Sequence, residues 1–167
     1  MPTNRFPRLL LSLLLVIATI QTIHYYPRLP VIVASHFGGR GEPNGWSSKQ
    51  FFFELYWAIL ALFALLPVGA SKLLANMPIS LINLPNKEYW LAPERRDETV
   101  TDFQCRMSFF SAATMALMIA AIDLALRANL AGDRRFSAAT FLMVLAAYAT
   151  FVIYWLVQLF HRFEKSH

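Results

Sequence analysis

Cysteine is all but missing from this sequence. Cys105 stands alone, so no intrachain disulfide can form and a thiolate metal cluster is excluded. A lone thiol beside an apolar run reads as a small buried hydrophobe. Charge is also scarce: Asp, Glu, Lys and Arg supply 15% of the 167 residues, where soluble domains carry about 25%. Glycine is sparse too, and four of the six glycines fall between Gly38 and Gly45. The net charge is +5, yet no basic stripe with interleaved aromatics is present, which excludes a nucleic-acid surface.

What the chain has is oil. Hydrophobic residues make up 57%, too many for an ordinary soluble domain, and the charges sit in the gaps between apolar runs, the pattern of a polytopic membrane protein. Four spans are expected, at about 9–26, 51–69, 107–126 and 138–160. The fold class is therefore all-α, a single integral membrane domain over 1–167. The basic start before Leu9 also fits a signal peptide. No clean pair of small residues stands two apart near Ala18–Thr22, so the first run is read as an uncleaved span. His24 ends that span as an interfacial histidine, with Tyr25 and Tyr26 in the headgroup belt.

Tyr26 to Lys49 holds the main break between runs. Pro27 and Pro30 stop the helix. Val31-Ile32-Val33 favours a short strand or extended strip, and Gly38-Gly39, Gly41 and Asn44-Gly45 are turn chemistry. Ser47 and Gln50 have capping-box spacing for the second span. Backbone this irregular is not tolerated against lipid, so a structured loop is expected in water or on the protein's own spans. Trp46 reads as an interface anchor or lid. His36 and Glu42 are too few for a metal site. His36 is expected to bond within the loop, and Glu42 or Lys49 to make a local pair. Glu54 suits the first turn of the span behind.

Between spans two and three, Lys72 to Ile82 reads as an interfacial segment. Asn83 to Asn86 is a turn, and Tyr89 and Trp90 are interfacial anchors. Pro93, Glu94, Asp97 and Glu98 suit a helix start that continues into span three. In that span Ser108, Ala112, Ala116 and Ala120 form a small-xxx-small ladder for helix packing, within the chain or against another subunit. Asp123 and Arg127 pair at its far end. Asn129 to Phe136 is a short turn holding Gly132, Asp133, Arg134 and Arg135.

Basic residues set the expected topology. The termini and second loop carry nine (Arg5, Arg8, Lys72, Lys87, Arg95, Arg96, Arg106, Arg162, Lys165), and the other loops carry six (Arg28, Arg40, Lys49, Arg127, Arg134, Arg135). That bias places both termini in the cytoplasm.

Two stretches carry a resemblance. Tyr26-Pro27-Arg28-Leu29-Pro30, with His36-Phe37, Gly41-Glu42, Trp46 and Lys49, resembles the YPxLP…HF…G…W…K signature of an uncharacterised bacterial membrane domain. That domain forms the first part of Sdp-type immunity proteins, which protect a cell from a secreted peptide toxin. Asn83-Leu84-Pro85-Asn86-Lys87, with Tyr89-Trp90-Leu91, is similar to the same family's segment after its second span. The likeness runs from Leu9 to Leu91. It implies a bacterial plasma membrane and a peptide or protein partner, and it brings no catalytic residues. Those immunity proteins carry a further membrane region, whereas this chain ends after its four expected spans.

The expected function is non-enzymatic. An outer loop would bind a partner through Arg28, His36, Glu42, Trp46 and Lys49, with Asn83, Asn86, Lys87, Tyr89 and Trp90 as an inner interfacial motif. The alternative is an accessory subunit of a larger membrane complex. No catalytic constellation can be assembled from the loops, paired broken spans of a transporter are missing, and no cofactor or metal is expected. Beyond the lipid bilayer, the partner is a peptide or a larger complex.

Overall fold

The computed structural model describes residues 5–132 and 134–164. Asp133 and Lys165, and the first four residues of the basic N-terminal stretch, lie outside the described residues. The chain is an all-α membrane bundle with one β-hairpin. In order it runs α1 (Arg5–Tyr25), β1 (Ile32–Phe37), β2 (Pro43–Ser48), α2 (Lys49–Asn76), α3 (Lys87–Trp90), α4 (Arg96–Leu130) and α5 (Ala138–Glu164). α1, α2, α4 and α5 are the four described helices long and apolar enough to cross a membrane.

α4 is the axis. It packs against α1, α2 and α5, while α1 and α2 touch each other little. Its 35 residues rise about 50 Å, well beyond a hydrocarbon layer of about 30 Å, so its ends stand in the headgroups or in water. The stripe it buries runs Ser108, Ser111, Ala112, Met115, Ile119, Leu126 and Asn129. The small-residue ladder shares only the start of that stripe. Ser108 and Ala112 are buried, but Ala116 is exposed. Each step of four advances about 40° beyond a full turn, so a strict i+4 row winds off the packed face.

Lipid tails are as apolar as the side chains, so helices inside a bilayer associate by close packing and interhelical hydrogen bonds. Both are present. Leu14, Ala18, Tyr56, Leu60, Met115 and Leu126 are buried together. Tyr56 Oη donates to Gln21 Oε1 at 2.8 Å, joining α2 to α1. Gln21 Nε2 donates to the Ile119 carbonyl at 3.2 Å, joining α1 to α4. Thr114 and Tyr148 share a 2.8 Å hydroxyl contact between α4 and α5.

Several boundaries differ from the expected ones. α2 begins under Ser48, whose hydroxyl accepts from the Phe51 N–H at 3.2 Å. The cap is thus one residue beyond Ser47, and Gln50 bonds Glu54 instead of closing a capping box. α2 also runs through Pro67 and Gly69 to Asn76, so Lys72 to Asn76 belongs to the span's end and not to a surface segment. Proline is tolerated in a span because neighbouring groups satisfy the freed carbonyl. The stop comes at Met77, whose N–H bonds the Leu73 carbonyl, and Arg96 Nη2 reaches the Met77 carbonyl at 2.9 Å, a basic side chain on a helix C-terminus. α4 starts at Arg96, later than Pro93, with Asp97 and Glu98 in its first turn.

Candidate functional site

The loop after α1 folds into a two-stranded antiparallel hairpin. The reversal occurs at residues 38–42, within the expected Gly38-Gly39 and Gly41 turn chemistry, where Gly38 N–H bonds the Glu42 carbonyl at 2.8 Å; Asn44-Gly45, also expected as turn chemistry, lies inside β2. Gly41 supplies the positive φ of 84°, and a Cβ there would collide with the Phe136 carbonyl. The pairing skips a residue on each strand: Ala34 faces Trp46, His36 faces Gly45, and Phe37 faces Pro43. Ser35 on β1 and Asn44 on β2 are the extra residues. Such bulges re-aim side chains, and here the Asn44 amide meets the His36 ring.

Asn129 pins the hairpin to α4. Its Oδ1 accepts from the Ala34 N–H at 2.7 Å, and its Nδ2 donates to the Ala34 carbonyl at 2.9 Å. A side-chain amide thus stands in for a neighbouring strand and covers the edge of β1. A third bond, from Nδ2 to the Ala125 carbonyl at 2.9 Å, fixes the amide to its own helix.

The five loop residues singled out from the sequence divide into two groups. Lys49 is structural. Its Nζ donates to the Tyr26 and Leu29 carbonyls, each at 3.2 Å, and stands 4.8 Å from the centre of the Tyr26 ring. It closes the turn after α1 and forms no pair with Glu42. Arg28 contacts the His24 ring one turn back. His36, Glu42 and Trp46 are exposed, with the Arg134 guanidinium 5.4 Å from the Trp46 ring centre. Val31 and Ile32 are exposed beside them, at 73% and 52%. The hairpin therefore presents apolar and aromatic side chains together with polar ones on an ordered frame. Among the described residues no three His, Cys, Asp or Glu side chains group into a metal site.

Two features near the hairpin escape sequence reasoning. The first is a polar cluster in the bundle. Besides its Arg127 partner, Asp123 accepts from Tyr25 Oη at 3.1 Å and from Gln21 Nε2 at 3.4 Å. Gln21, a lone amide in an apolar run, was the available signal. The second is a hollow of about 510 Å3 beneath the hairpin, lined by Ser35, Phe37, Phe52, Ile122, Phe136 and Leu142 among others.

At the other end, the expected interfacial motif is a clasp. Trp90 is 7% exposed, too buried to anchor in headgroups. Its Nε1 donates to the Phe163 carbonyl at 2.9 Å. Asn86, at φ 50°, donates to the Glu164 carbonyl at 2.7 Å. Tyr89 lies under the Arg95 guanidinium, Asn83 is exposed, and Lys87 is half-buried. Asp102, not singled out beforehand, accepts from Arg106 at 3.1 Å and Arg162 at 3.2 Å, tying α4 to α5. Cys105 is buried close by.

The comparisons with known proteins fall on the hairpin and the two spans that flank it. Residues 13–66 match the family model of a domain of unknown function, DUF1648. No curated protein and no solved structure matches the chain. In this chain those residues take in most of α1, the hairpin and the first part of α2.

Proposed function

We propose that this is a non-enzymatic multi-pass membrane protein whose hairpin binds a peptide or protein partner outside the bilayer. The observation that carries the reading is the ordered, exposed face of the hairpin, with Trp46 at 49% exposure on strands fixed by Asn129. A surface ordered before its ligand arrives avoids part of the entropy cost of binding, and exposed tryptophan and arginine are the side chains that dominate hot spots. The resemblance to the first domain of Sdp-type immunity proteins supports a secreted peptide as the partner and a bacterial plasma membrane as the location, and we place the termini in the cytoplasm with the hairpin outside. The excess of basic residues on the side of the termini supports the same orientation.

A photo-crosslinker placed at Trp46 in native membranes tests this. The expected result is one discrete peptide or protein adduct that is lost on Ile32→Ser, with no such adduct from Val157 on α5. Identical adduct patterns at both positions, or none at Trp46, would refute it. A second reading, an accessory subunit of a larger complex, is favoured by Ala116 and Ala120, which border a groove of about 530 Å3 between α1 and α4. Small residues there permit close approach of another helix. A stoichiometric large partner surviving mild-detergent purification supports that reading, and a clean monomer or homodimer counts against it.

A further inference from the structure

The hollow beneath the hairpin has a distinctive make-up. Its walls come from the hairpin, α2, α4 and α5. Phe37 stacks on Phe136 with ring centres 5.0 Å apart, and Phe136 meets Phe141 edge-on. On one margin stands Leu142, 60% exposed on α5. Because α5 is a span, whatever faces Leu142 is the acyl region of the bilayer. A lipid chain therefore reaches this hollow without leaving its own phase.

The margin made by the hairpin includes polar side chains, Ser35 and His36. Ser35, the extra residue of the β1 bulge, is exposed on it. Just beyond, the Phe136 N–H donates to the Gly41 carbonyl at 2.8 Å, which joins the two turns that carry Arg40 and Arg134, both exposed. Arg40 forms no ion pair among the described residues, and Arg134 lies over the Trp46 ring. In sequence these two turns hold Arg40, Arg134 and Arg135 against Glu42 and Asp133, a net positive rim.

We propose that the hollow seats one acyl chain of an anionic phospholipid from the leaflet on the hairpin side, with the headgroup phosphate between Arg40 and Arg134. Such a site would fill the gap between hairpin and α5 with lipid and make the lipid part of the hairpin's support. The assignment goes beyond partner binding and does not depend on it.

Native mass spectrometry of the full chain, delipidated in mild detergent, tests the site. Phosphatidylglycerol and phosphatidylcholine of equal chain length are the probes. A basic residue near an anionic surface favours binding by about fivefold, so two predict a preference for phosphatidylglycerol on the order of tenfold or more. Arg40→Gln with Arg134→Gln is expected to abolish the preference while leaving acyl binding. Ala121→Phe, which fills the hollow, is expected to abolish retention of both lipids. Leu142→Ala, which shortens an exposed side chain and stays apolar toward the lipid, is expected to weaken both and keeps the test decisive if Ala121→Phe fails to fold. Equal retention of the two lipids by the wild type, or retention unchanged in Leu142→Ala, would overturn the proposal. Unchanged lipid retention in Ala121→Phe with loss of the Trp46 adduct would assign the hollow to an apolar segment of the partner and also overturn it.

Discussion

The two ends of α5 are held in opposite ways. At its C-terminal end the protein spends polar contacts: the Trp90 indole and the Asn86 amide on the last carbonyls, and Asp102 on Arg162. At its N-terminal end the contacts near the hairpin are mostly rings, Phe37 on Phe136 and Phe136 on Phe141, beside one backbone bond from the Phe136 N–H to the Gly41 carbonyl. Ring contacts cost little to slide, whereas a carbonyl that loses its donor in a buried place is expensive. α5 is thus moored at one end and cushioned at the other. The hairpin owes its position instead to α4, through Asn129. The hairpin rests on the most central helix, and the hollow lies where the mooring is soft.

Breaking the Asn129 pin should have the largest effect. Asn129→Ala removes three hydrogen bonds and leaves the Ala34 N–H and carbonyl unpaired. The expected loss is about 3 kcal/mol, read as early proteolysis in the 38–42 turn while the helical circular dichroism persists. Simultaneous melting of hairpin and helices would show that the hairpin is not a separable region.

Gly41→Ala attacks the cushioned end itself. It places a side chain at positive φ, against the Phe136 carbonyl. About 2 kcal/mol is expected, with the turn and the start of α5 exchanging amide hydrogens faster and the Phe163 end unchanged. Faster exchange at both ends would contradict the independence of the two.

Trp90→Phe tests the mooring. It retains a ring beside Phe163 but removes the indole donor, for about 1 kcal/mol. Hydrogen exchange should rise in the last turn of α5 and nowhere near the hairpin. Asp102→Asn should have the smallest effect, below about 1 kcal/mol, since its ion pairs are partly solvated and an amide still accepts. A larger loss of thermal stability would move Asp102 from tether to keystone.

The sequence made the spans legible because apolar runs of sufficient length are local and need no partner. It made the hairpin half-legible. The β-branched Val31 to Val33 stretch marks the first strand, and Gly38, Gly39 and Gly41 mark the reversal, but Asn44-Gly45 carries the same turn chemistry and lies inside β2. Turn propensity is local, whereas the real turn depends on Gly41 meeting Phe136, a residue far along the chain. The Ser47-or-Ser48 ambiguity is of the same kind, since adjacent serines offer equal caps. Gln21 is silent in the sequence because an amide in an apolar run is informative only once its partner is seen, and Asn129, expected to open a turn, lies instead in the last turn of α4 with its amide on Ala34. Trp90 was misread for the same reason: an interfacial anchor and a buried donor look identical in a string of letters.

The central claim is that four helices cross a bilayer and hold the hairpin on one side of it. Single cysteines on a Cys105→Ser background, probed with a membrane-impermeant maleimide on sealed cells, test it most directly. The account predicts that Glu42→Cys labels from outside, that Glu94→Cys labels only after permeabilisation, and that Leu62→Cys labels in neither case. Labelling of positions 42 and 94 from the same side, or ready labelling at 62, would contradict it.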